Sequence, residues 1–122
     1  MGIRYRIDPS GRMVLSTWEG TVQAEDLAGH WQLLMSDPKA MSCLGSIADL
    51  RACELAFSGE TFRQLAQTIV QPALKGRLWK TAVVVQKPVH HGVARQFGAF
   101  THGTTQVAIF TDEASAHAWM QL

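Results

Sequence analysis

Lys80-Thr81-Ala82-Val83-Val84-Val85-Gln86 decides the fold. Its unbroken apolar centre reads as a strand buried on both faces, the habit of a parallel strand covered by helices. Strand and helix patterns alternate on either side of it. Upstream, Ser46-Ile47-Ala48-Asp49-Leu50 is a short strand, and Ser58 then caps a helix. The apolar face of that helix is Phe62, Leu65, Ala66, Ile69 and Val70, and Pro72 predicts its end. Downstream, Pro88 opens a helix with Val89, Val93, Phe97 and Phe100 facing inward. Val107-Ala108-Ile109-Phe110 is the last strand, and Thr111 caps a C-terminal helix holding Ala116, Trp119 and Met120.

The N-terminal part reads differently. Ile3, Tyr5 and Ile7 alternate with Arg4, Arg6 and Asp8, the period of a half-buried strand. Pro9-Ser10-Gly11 is turn chemistry, and Met13 to Trp18 forms the second arm of a hairpin that Gly20-Thr21 breaks. Leu27, Ala28, Trp31, Leu34 and Met35 recur at helical spacing until Asp37-Pro38. The order β-β-α-β-α-β-α-β-α predicts an α/β fold with a mixed, mainly parallel sheet, because strands separated by helices need crossover connections.

The 122 residues make one domain, 1–122, large enough to bury a core. Hydrophobic content of 47% and charged content of 17% argue against disorder. No apolar run approaches the roughly 18 residues that cross a bilayer, and the N-terminus lacks the apolar stretch of a signal peptide. The expected location is cytoplasmic, where Cys43 and Cys53 stay reduced as small apolar residues.

The net charge of +1 hides an asymmetry. Residues 61–111 hold no Asp or Glu but contain Arg63, Lys75, Arg77, Lys80, Lys87 and Arg95. One surface carrying these would suit an anionic partner. Nucleic acid is not the expected one, since the pI is only 7.9 and no recognition motif accompanies the cations.

The element order resembles the STAS domain family, the anti-sigma-factor-antagonist-like proteins, and within it the small stand-alone bacterial STAS/SEC14-like group. The carriers are the opening hairpin, Gly20-Thr21-Val22, Asp49-Leu50-Arg51, Gly92-Val93-Ala94-Arg95-Gln96-Phe97, and Phe110-Thr111-Asp112-Glu113-Ala114 with Trp119. The resemblance implies a SpoIIAA-like domain related in fold to both phospho-switched regulators and lipid-binding domains. In the phospho-switched proteins a Ser, usually between Asp and Ser-Gly, begins the helix after the third strand. Here that place reads Phe57-Ser58-Gly59-Glu60, so Ser58 matches while the flanking Asp and the Gly two residues on do not. A phosphate there would meet free backbone N–H groups, and a plain N-cap role accounts for the Ser equally well.

Arg51, His91 and Arg95 are candidates for an anion contact. His91, Arg95 and His102 fall at i, i+4 and i+11, with Gly98 at i+7, giving a polar stripe on one helix face. Arg51, with Asp49, ends a predicted central strand, where open α/β sheets bind ligands. A solvated stripe and a structural Asp–Arg pair are the competing readings. No metal site is expected: His90 and His91 diverge on a helix, and this half of the chain offers no carboxylate. Trp18, Trp31, Trp79 and Trp119 serve as core or interface anchors, or line a ligand pocket.

No nucleophile motif with a matched base and no phosphate-binding loop occurs, so neither an enzyme nor a cofactor is expected. The first expectation is a regulatory module working by protein contact at Ser58 and Gly59. The alternative is a carrier or sensor of a small anionic or lipid-like ligand near Arg51, His91 and Arg95. The hairpin edge makes a homodimer a further expectation.

Overall fold

The computed structural model describes residues 2–121. Five strands, β1 (Gly2–Ile7), β2 (Met13–Gln23), β3 (Gly45–Ala56), β4 (Trp79–Val84) and β5 (Thr105–Phe110), form one sheet in the order β1-β2-β3-β4-β5. β1 and β2 pair antiparallel, and the other three ladders are parallel. The helices are α1 (Ala24–Met35), α2 (Pro38–Met41), α3 (Gly59–Leu65), α4 (Gln71–Leu74), α5 (Pro88–Phe100) and α6 (Glu113–Met120).

The strand order dictates the layers. Right-handed crossovers that always step in one direction across a sheet place their helices on one face. Accordingly Leu27, Trp31 and Leu34 of α1, Phe62 of α3 and Ala94 and Phe97 of α5 share a core with Val14, Trp18, Ala48, Leu50 and Val83. The last helix, α6, covers the opposite face: Ala116 and Met120 pack on Met13, Ile47, Ala82 and Val84. β4 thus contributes Val83 to one core and Ala82 and Val84 to the other, the two-sided burial expected of it.

Several boundaries differ from the sequence reading. Gly20 does not end β2: it adopts φ +66 and pairing to β3 resumes through Gln23. β3 runs on past Leu50 to Ala56. Between the pairs Thr17↔Asp49 and Glu19↔Ala52, β3 spends one residue more than β2, a bulge at Leu50-Arg51. The extra residue changes the parity of the strand, so Leu50 and Cys53 both face the larger core, while Arg51 keeps the alternation of Ile47 and Asp49 and faces α6. The helix expected to end before Pro72 passes through it. Ala66–Val70 form a π turn in which the Gln71 N–H donates to the Ala66 carbonyl, and this wider turn relaxes the α register just ahead of the proline. Asp112, not Thr111, caps α6, its carboxylate accepting from the Ser115 N–H at 2.7 Å. In α5, Val93, Phe97 and Phe100 pack on the core as expected, but Val89 is 64% exposed, and His90 and Ala94 join the inward face.

Candidate functional site

The larger core is not filled. Between the sheet and the layer of α1, α3, α4 and α5 lies a cavity of about 70 Å³. A single water needs only ~10–15 Å³, so the space holds several waters; a ring-sized guest, which fills a cavity of about 150 Å³, would need the lining to give. Its floor comes from alternate residues of the central strands: Ser16 and Trp18 on β2, Ala48 and Leu50 on β3, Thr81 and Val83 on β4. Its roof is aromatic and aliphatic. Trp31 stacks on Phe62 at 6.1 Å between centroids, Phe62 stacks on Phe97 at 5.7 Å, and Phe57 leans on Phe62 at 5.8 Å. Val70, the last residue of the π turn, and Leu74, at the end of α4, close one wall.

Polar groups are few in this lining. The Trp18 indole N–H donates to the Ser16 Oγ at 3.1 Å, and the hydroxyls of Thr81 and Thr105 are 3.0 Å apart. His30, on α1, is 8% exposed and makes no hydrogen bond among the described residues. It meets Tyr5 and Trp18 edge to face, at 5.9 and 6.3 Å. Burial pushes its imidazole down to about 4 from an ordinary 6.5, so the ring is neutral at physiological pH. No Lys, Arg, Asp or Glu lines the cavity.

The cations singled out in the sequence do not converge. Arg51 lies on the α6 face, where its guanidinium donates twice to Asp49, at 2.9 Å each, and once to Glu113 at 3.2 Å. These contacts hold the Asp49 carboxyl below its usual range, chiefly through the hydrogen bonds from Arg51. His91 and Arg95 are exposed on α5, which packs on the opposite face of the sheet. The sheet separates them from Arg51. The stripe also stops short, because α5 ends at Phe100 and His102 sits in the following turn. The basic half forms no single patch. Arg63 pairs with Glu60 and Lys87 with Glu54, Lys80 donates to the Trp119 carbonyl and stacks over its ring, and Arg77 donates to the Met41 carbonyl.

Ser58 is the N-cap of α3, accepting from the Thr61 N–H at 3.1 Å. It is exposed, and a side chain on neighbouring Gly59 would touch Gln96 of α5, so this corner joins two helices. Cys43 and Cys53 are buried free thiols, and burial raises Cys53 to about 11. Three tryptophans, Trp18, Trp31 and Trp79, line the cavity, while Trp119 packs on Phe110 across the sheet.

His30 and His90 are the residues the sequence reading passed over. His90 is fully buried with neither ring nitrogen bonded among the described residues. Both were detectable by spacing. His30 completes an i, i+3, i+4, i+7 run with Leu27, Trp31 and Leu34, and His90 completes one with Ala94 and Phe97.

The fold is SpoIIAA-like. The chain is similar in structure to an uncharacterized protein of the DUF3478 family, with a SpoIIAA-like fold, from Shewanella loihica. The TM-score is 0.67 at 20% identity, over 98% of this chain and 94% of that one. No family profile and no curated protein matches the sequence. No helix among the described residues is long and apolar enough to cross a membrane.

Proposed function

We propose that this STAS-like domain is a non-enzymatic carrier or sensor of a small apolar, lipid-like molecule bound between the sheet and the helix layer. The observation that supports this reading is the aromatic-lined cavity, which protein interiors, close-packed as they are, do not ordinarily leave open. Its uncharged lining favours an apolar guest over the anionic one, and its only titratable side chain, His30, is held neutral by burial and has no acid or base beside it for catalysis. The π turn supports the same reading, since such turns concentrate at functional sites and this one borders the cavity at Val70.

Toluene is the simplest probe. It should quench or shift the tryptophan fluorescence and raise the melting temperature. In Ala48→Leu, which grows a side chain from the cavity floor, both effects should be lost with the fold retained. Equal responses in the two proteins would place toluene elsewhere and remove the reading.

A second reading, regulation by protein contact, has its own support in the exposed corner of Ser58, Gly59 and Gln96, with His91 and Arg95 along the same helix. Ser58→Ala should cost about 1 kcal/mol through loss of the cap, and Ser58→Asp, itself a good cap, close to nothing. The two variants therefore separate the cap from the surface. If Ser58→Asp captures the same partners as the wild type, the switch at this corner is excluded.

A further inference from the structure

We propose that the cavity selects an uncharged ligand carrying one hydrogen-bonding group, and that His30 is the residue that reads that group. This rests on the cavity reading above and assigns the chemical class of the guest. His30 is more than nine-tenths buried, borders the cavity and has no hydrogen-bond partner among the described residues. A polar side chain in so apolar a setting gains from a bound hydrogen-bonding partner.

The neighbours of His30 cannot supply that partner. The Tyr5 hydroxyl donates to Asp37 at 2.6 Å, and the Trp18 N–H is spent on Ser16. Ser16 in turn lies 3.5 Å from the Ile47 carbonyl. What Tyr5 and Trp18 present to the imidazole is ring, not polar atom.

The sign of the ligand follows from the lining. With no cation or carboxylate at its walls, a charged guest would lose its hydration with no compensating partner. A neutral imidazole offers one donor and one acceptor, so it suits an alcohol, phenol, ketone or ester on an otherwise apolar body. The ring nitrogens of His90 are fully buried and unpaired, but His90 does not border the cavity, so it has no such role.

Three probes of similar size decide the matter: toluene, phenol and benzoate, each titrated by tryptophan fluorescence at neutral pH. Phenol should bind the wild type several-fold, up to about tenfold, more tightly than toluene, the span of one net hydrogen bond. Benzoate should not bind. In His30→Leu the preference for phenol should vanish while toluene is retained, and His30→Gln should restore part of it. Equal binding of phenol and toluene to the wild type, or a preference that survives His30→Leu, overturns the role of His30 and leaves the cavity reading standing. Binding of none of the three overturns both. If His30→Leu does not fold, the comparison of the three probes on the wild type still decides.

Discussion

Gly45→Ala should destabilise the fold severely. Gly45 opens β3 opposite Lys80 of β4, and a methyl group there would lie 2.0 Å from the Lys80 carbonyl oxygen and 2.9 Å from the Met120 terminal methyl. The first contact is with backbone, so no rotamer change relieves it. Either the β3–β4 ladder opens at its start or α6 lifts from its face. Losses of this kind run to about 3–5 kcal/mol, a large part of the stability of a small domain. Urea unfolding followed by tryptophan fluorescence measures it. A midpoint within experimental error of the wild type would show that the two strands can separate at this point without cost.

Acid should weaken the fold well before the carboxylates titrate. The His30 imidazole has a pKa of about 4 when folded and about 6.5 when unfolded, so between those values the unfolded chain holds the extra proton. Stability from this group is complete above pH 6.5 and declines as pH falls through the window. From pH 7 to pH 5 the loss is about 2 kcal/mol by linkage. His90 acts in the same direction, with burial and then Lys87 lowering its pKa. The measurement is the urea midpoint at both pH values for the wild type and His30→Leu. The variant should show a distinctly flatter dependence, and parallel curves would mean that His30 does not titrate in this way.

Which parts of this were legible beforehand follows from what a sequence pattern encodes. Periodicity reports which side of an element is apolar, and it located all five strands and the main helices. It does not report parity changes. The bulge at Leu50-Arg51 is a one-residue event with no compositional mark, yet it decides that Cys53 shares the core face of Leu50. The same limit hid the π turn, since Pro72 is an ordinary stop signal and only the packed wall shows that the helix continues. Histidine was the other blind spot. Treating His30 and His90 as polar removed them from apolar runs that their spacing completes. The charge asymmetry, in turn, was real in sequence but dispersed in space, because Arg63, Lys80 and Lys87 each found a local partner.

The order β1-β2-β3-β4-β5 also bears on how the chain assembles. No strand is inserted between two earlier ones, so a growing polypeptide can add each new strand to the same open edge as it emerges. The hairpin of β1 and β2 provides the template, and every later ladder closes across a single helical connection. Sequence separations between partners stay short for a parallel sheet, which favours rapid folding. Synthesis from the N-terminus and growth of the sheet therefore run in the same direction, and α6 seals the second face only after the last strand has docked.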